Sequence, residues 1–173
     1  MSAVLKVENL NVTLTYRKAS KKLVEDVSFE VHPGECLGIL GESGSGKSTI
    51  IKAVMGLLGN EGMVTEGDIW YKGKNVVDMP EKELRRLLGP EIAMVFQDPM
   101  TSLDPTMTIG KQIMEGMLWH FKMPKAEAYK KALELLEEVG ITDAEKRMKS
   151  YPHQLSGGMR QRGVIAIALS CDP

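Results

Sequence analysis

Glu35-Cys36-Leu37-Gly38-Ile39-Leu40-Gly41-Glu42-Ser43-Gly44-Ser45-Gly46-Lys47-Ser48-Thr49 runs from a short apolar segment, through a glycine-rich loop, into a helix-forming sequence spanning 47–58. A brief apolar run bounded by turn residues and feeding a helix is the pattern of a strand buried on both faces. Gly41 to Ser48 match Gly-x-x-x-x-Gly-Lys-Ser/Thr in the strand–loop–helix context that this motif requires. The glycines let the backbone curl with its N–H groups pointing inward, and the helix N-terminus adds a dipole that favours anions. Lys47 supplies a point charge for the β and γ phosphates, and the Ser48 hydroxyl is a ligand for Mg²⁺. The expected ligand is therefore a nucleotide with Mg²⁺, held by Gly41, Glu42, Ser43, Gly44, Ser45, Gly46, Lys47, Ser48 and Thr49. The loop alone leaves kinase, GTPase, helicase and transporter ATPase open.

Upstream, residues 4–14 and 23–31 carry roughly alternating apolar positions, which predicts two strands joined by an exposed Lys-rich loop over 17–22. Downstream, GMVTEGDIWYKGKNV (62–76) predicts one or two more strands of a small antiparallel sheet, followed by a helix over 81–88. IAMVF (92–96) reads as a second buried strand, after which the composition turns helical. A helix over 109–121 is moderately regular. Over 125–139, Ala128, Ala132, Leu135, Leu136 and Val139 form one stripe, with Gly140 where a C-terminal cap belongs. Thr142 with Glu145 three residues on predicts a capping box, and Ser156 is placed as the N-cap of a helix beginning GGMRQRGVIAIALS.

The chain has 173 residues, 43% hydrophobic and 26% charged, which is ordinary globular composition. A net charge of −1, from 22 basic and 23 acidic residues, argues against nucleic-acid or anionic-membrane binding by bulk electrostatics. No apolar run approaches the ~18 residues needed to span a bilayer, and no secretory leader opens the sequence. The two cysteines, Cys36 and Cys171, are far apart and lack metal-ligand spacing; Cys36 is expected to be buried in its strand.

Leu155-Ser156-Gly157-Gly158-Met159-Arg160-Gln161-Arg162 resembles the LSGGQ signature of ABC ATPases, with Met159 at the usual Gln position. Phe96-Gln97-Asp98-Pro99-Met100-Thr101-Ser102-Leu103-Asp104-Pro105 is similar to the FQDP-TSLNP stretch of the oligopeptide, dipeptide and nickel importer ATPases, Asp104 standing where Asn is more common. Tyr-Pro-His-Gln at 151–154 also resembles that subfamily, so His153 belongs to a local pattern rather than to a metal site.

The resemblance implies an α/β fold, a P-loop NTPase core with an antiparallel β-subdomain and a helical subdomain, incomplete at the C-terminus. The implied division is a nucleotide-binding core with β-subdomain over 1–105 and a helical subdomain over 106–165. It makes Tyr16 the residue that stacks on adenine and Gln97 a contact to Mg²⁺ and the attacking water that relays nucleotide state to membrane subunits. Leu155, Ser156, Gly157, Gly158, Met159 and Gln161 would act in trans, closing over ATP held by a second ATPase subunit. The implied partners are that second subunit, two membrane permeases and, indirectly, a substrate-binding protein; no nucleic acid is implied. The implied location is the cytoplasmic face of the membrane, and the implied cargo is peptide or nickel.

In the family, the Walker B carboxylates, D-loop and switch His follow the signature, and none falls within these 173 residues. The expectation is therefore an ATPase by family whose chain alone binds nucleotide without turnover, with ECLGIL and IAMVF short of neighbouring strands and prone to association. Two other readings stay open: a non-catalytic nucleotide-binding fragment, and a soluble ABC ATPase unconnected with transport.

Overall fold

The computed structural model describes residues 2–16, 19–58 and 62–173, apart from the side chains at 15, 16, 19, 63 and 65. It divides into two compact units, Met1–Leu84 and Arg85–Pro173.

The first unit is a four-stranded antiparallel sheet in the order β2-β1-β3-β4, built from β1 (Leu5–Tyr16), β2 (Ala19–Val31), β3 (Gly62–Tyr71) and β4 (Lys74–Asn75). Val7 faces Phe29 and Ile69 on the flanking strands, and Val12 faces Val24 and Val64. Val7, Leu10, Val12 and Ile69 are almost fully buried, and α1 (Lys47–Val54) adds Ile50, Ala53 and Val54 to this core. The run of alternation slips between Val7 and Leu10, because the register shifts there. Asn9 and Asp26 both have positive φ at the slip, and Asn9 Nδ2 donates to Asp26 Oδ1 at 2.9 Å while Asn9 N donates to Ser28 Oγ at 2.8 Å. Gly67 completes this bulge at φ +91°, where a Cβ would meet the Asn9 and Glu8 carbonyl oxygens at 2.4 and 2.5 Å. A bulge of this kind re-aims the strand without losing its pairing on either side.

Two strand assignments fail here, ECLGIL and IAMVF, while the expectation that both stretches are short of neighbouring strands agrees with the structure. ECLGIL is irregular and exposed: Leu40 is 95% exposed, and Cys36 is exposed rather than buried. IAMVF likewise forms no strand; its contribution to β-structure is one isolated parallel bridge, Leu88 to Ile92, and Val95 and Phe96 are exposed. A strand exists only as one side of a hydrogen-bonded ladder, and an apolar sequence does not create a partner. Among the described residues neither stretch has one.

The second unit is helical. α2 (Glu81–Leu87) leads into it, followed by α3 (Pro99–Ser102), α4 (Ile109–His120), α5 (Lys125–Glu138), α6 (Ala144–Met148), a 3-10 turn (Pro152–Gln154) and α7 (Gly157–Leu169). Its core gathers Ile109, Ile113 and Met117 of α4, the predicted Ala128, Ala132, Leu135 and Leu136 stripe of α5, and Val164 and Ala166 of α7. Gly140, at φ +77°, closes α5 by donating to Glu137 O, while Ile141 N donates to Leu136 O, as a C-terminal glycine motif should. The capping box expected from Thr142 does not form. The helix starts one residue later, with Asp143 as N-cap at φ +54° and no side-chain cap. Glu145 consequently falls on the second helical position, where it is out of reach of the reciprocal bond. Among the described residues, no helix is long and apolar enough to cross a membrane.

Candidate nucleotide-binding site

Gly46 caps α1 at φ +93°, a conformation costly for any L side chain, and a Cβ there would lie 2.7 Å from the Leu23 carbonyl oxygen. Gly44 also has positive φ, +82°. Between them the chain doubles back so that Lys47 Nζ reaches into the loop, donating to Gly41 O at 2.8 Å, Glu42 O at 2.6 Å and Ser45 Oγ at 3.4 Å. Ser45 N donates to Glu42 O at 3.3 Å. The ammonium is thus held at the mouth of a loop whose first helical turn carries no acidic residue. The site concentrates one cation and the N–H groups of a helix start, the combination that binds a phosphate chain. Ser43 and Ser48 are exposed, Thr49 is half-buried, and Ser48 presents an oxygen donor of the kind Mg²⁺ takes. Tyr16 is the last residue of β1; the stacking expected of it rests on a side chain outside the described structure.

In the second unit, Gln97 is exposed on a bend that leads directly into α3. Asp98 caps α3, its Oδ1 accepting from Met100 N at 2.9 Å, and its carbonyl oxygen accepts from both Thr101 Oγ1 and Ser102 Oγ. Ser156 caps α7 as predicted, accepting from Met159 N at 3.3 Å. Gly157 and Gly158 are exposed, and a Cβ at either would find no atom within 4 Å. Leu155 is buried, whereas Met159 and Gln161 are half-buried. His153 stacks on Tyr151, with ring centres 5.7 Å apart.

Two residues with evident structural work were missed by sequence reasoning. Gln112, 8% exposed, clamps the turn after α3: its Oε1 accepts from Asp104 N, and its Nε2 donates to Asp104 O and Met107 O. A polar residue beside Ile109 and Ile113 on the buried face of α4 was the available signal. Arg160 is the second: its Nε donates to Pro152 O at 2.8 Å, in the turn before α7, and nothing separates it in sequence from the polar residues around it.

Asp104 Oδ1 accepts from Thr106 N at 2.7 Å and Thr106 Oγ1 at 2.6 Å. These bonds favour the carboxylate and hold its pKa below the usual range. A depressed acid contributes stability at pH values above its unfolded pKa and loses it as pH falls through the folded one. Acidification below about pH 4 is therefore expected to loosen this turn. Asp104→Asn, which keeps the accepting oxygen, should leave the neutral-pH melting temperature nearly unchanged and abolish the acid dependence of the Thr106 amide shift followed by NMR.

The ABC transporter family model matches residues 24–173. This chain belongs to the ABC transporter family. It is 54% identical over 171 residues to the dipeptide transport ATP-binding protein DppD of Lactococcus lactis subsp. cremoris, an alignment covering 98% of this chain and 49% of that protein. It is 47% identical to the oligopeptide transport ATP-binding protein OppD of Escherichia coli K12, covering 99% of this chain and 50% of that protein. The chain thus spans about half the length of these curated relatives. Among solved structures it resembles the dimer of MJ0796, a bacterial ABC transporter cassette, with TM-score 0.86 and 29% identity over 98% of this chain and 70% of that one. The same cassette in a post-hydrolysis state bound to ADP and Pi matches with TM-score 0.84 and 28% identity, over the same shares of both chains. The ABC ATPase fold is therefore established, even though ECLGIL and IAMVF are not laddered into a sheet.

Proposed function

We propose that this chain is the nucleotide-binding part of an ABC ATPase that powers the import of peptides or nickel, paired with a second ATPase subunit and two membrane permeases that receive cargo from a substrate-binding protein. It works at the cytoplasmic face of the membrane. Residues 1–105 form the nucleotide-binding core with its β-subdomain and 106–165 the helical subdomain. Residues 41–49 hold ATP, with Tyr16 stacking on adenine, and Ser48 and Gln97 hold Mg²⁺. The metal, when bound, neutralises charge on the transferring phosphate. Lys47 exchanges its hold on the loop carbonyls for the phosphates, and Ser156, Gly157 and Gly158 close over the ATP of the partner.

The observation that carries this reading is the pair of glycines at the start of α7. Neither has a positive φ or a neighbour that a side chain would strike, so this chain's own fold has no use for glycine at 157 or 158. Glycine in a helix costs about 1 kcal/mol against alanine. Such a cost is understandable where another backbone or ligand approaches closely, as a phosphate held by a second copy would.

Gly158→Val tests this. The variant is expected to melt within a few degrees of the wild type and to bind an ATP analogue as tightly, yet to lose the ATP-dependent shift to dimer in sedimentation. A variant that still dimerises on ATP overturns the reading of the signature as an in-trans site.

A further inference from the structure

The corner between α4 and α5 turns apolar side chains outward. Trp119 is 50% exposed and Phe121 47%, whereas Ile109, Ile113 and Met117 of the same helix are fully buried. Beside them runs an open groove of about 490 Å³, with Met107, Met114, Leu118 and Trp119 among its lining residues. The helix ends at His120, and the N–H groups of Phe121 and Met123 both donate to Met117 O. Lys122 takes a positive φ of +52° in that turn, so the chain reverses there, and α5 opens with Lys125. Lys111, Lys122 and Lys125 thereby rim the apolar floor, with Glu115 the single acidic residue lining it. Among the described residues none of these three lysines has an ion-pair partner.

A contiguous apolar patch left in water marks a contact surface, and the charges around this one indicate what it contacts. The cores of protein–protein interfaces are depleted of lysine and enriched in arginine, yet the groove holds three lysines and no arginine. Lysines set around Trp, Phe and Leu are instead the pattern of surfaces that lie in the headgroup region of a bilayer. Their methylene stems run along apolar surface while the ammonium groups reach out to the phosphates. The whole chain, at −1, has no bulk attraction for anionic lipid. The attraction is therefore local, acting within a Debye length of about 8 Å.

We propose that the α4–α5 corner is a peripheral membrane contact, seating Trp119 and Phe121 among anionic phospholipid headgroups while Lys111, Lys122 and Lys125 hold the phosphates. The proposal goes beyond the reading above, which sets permeases but no lipid against this chain, and it needs no nucleotide.

Co-sedimentation of the chain, without nucleotide, with phosphatidylcholine vesicles that contain or lack phosphatidylserine tests it. Each lysine near an anionic surface is worth about fivefold in affinity, and Glu115 opposes by a similar factor, so vesicles with phosphatidylserine should bind about 20-fold more tightly. Lys111→Ala and Lys125→Ala should each lose about fivefold, and Glu115→Gln should gain about fivefold. Lys130→Ala removes the same charge from an exposed position on α5 outside the groove and should change nothing. All four side chains are exposed, so melting temperatures should stay within a degree or two. Brominated acyl chains should quench the tryptophan emission of the wild type; Trp119→Phe keeps an apolar ring and should still bind, without that quenching. Equal binding to the two kinds of vesicle, or none to either, overturns the proposal. So does a loss in Lys130→Ala as large as that in Lys111→Ala, which would reduce the effect to net charge. Quenching that survives in Trp119→Phe would put Trp70 rather than this corner against the lipid, and overturns it as well.

Discussion

Lys47→Ala is expected to weaken binding of a fluorescent ATP analogue by about 10- to 150-fold, the loss of one charged hydrogen bond of roughly 1.5–3 kcal/mol. In the structure the ammonium is bonded to two loop carbonyls and one hydroxyl, so the variant loses twice: the charge that meets the phosphates, and the link that keeps the loop curled before nucleotide arrives. The two losses separate by salt. Screening weakens the direct ionic contribution, whereas disorder of the loop persists at every ionic strength. Lys47→Arg keeps the charge but substitutes a broad planar fork for a compact ammonium, and its expected affinity lies between the other two. Equal affinity of wild type and Lys47→Ala would refute the assignment of 41–49 as the phosphate site.

The parts of the fold legible in the sequence are those decided by local chemistry. The α5 stripe needs only 3.6-residue periodicity, and Ser156 needs only a hydroxyl ahead of a helix; both occur as expected. The Gly41 to Ser48 loop is legible for the same reason, since its glycines answer to backbone conformation within eight residues. ECLGIL and IAMVF form no strands because an apolar run records a preference for burial without supplying the strand that would pair with it, the shortage of neighbours that the sequence itself implies. Leu40, 95% exposed, expresses that preference unsatisfied. Thr142 and Glu145 had the right spacing, but the cap sits at Asp143, and a shift of one residue is enough to break a reciprocal bond. Gln112 and Arg160 act across turns, so their partners, Asp104 and Met107 for one and Pro152 for the other, cannot be paired from spacing alone.

The bulge in β1 shows the same limit at its sharpest, and it yields the largest expected change in stability. Asn9 interrupts an otherwise regular alternation, and nothing nearby in sequence explains it; the explanation is Gly67, opposite on β3. At φ +91° a side chain costs roughly 1–2 kcal/mol in backbone strain. Its Cβ would also sit 2.4 to 2.6 Å from backbone atoms of Glu8 and Asn9. Backbone held in a sheet yields far less readily than the tip of a flexible side chain, so overpacking adds about 1–3 kcal/mol. Gly67→Ala is therefore expected to destabilise the first unit by about 2–5 kcal/mol in urea unfolding, a shift of at least 10 °C or so in melting temperature for a unit of this size. Gly34→Ala is the matching control. Its φ is also positive, +76°, yet a Cβ there meets nothing within 4 Å, so only the conformational cost remains. A Gly67→Ala loss no greater than that of Gly34→Ala would mean that the bulge relaxes freely, and that the β1–β3 register is held by the buried Val7, Val12 and Ile69 contacts rather than by the fit of Gly67 against Asn9.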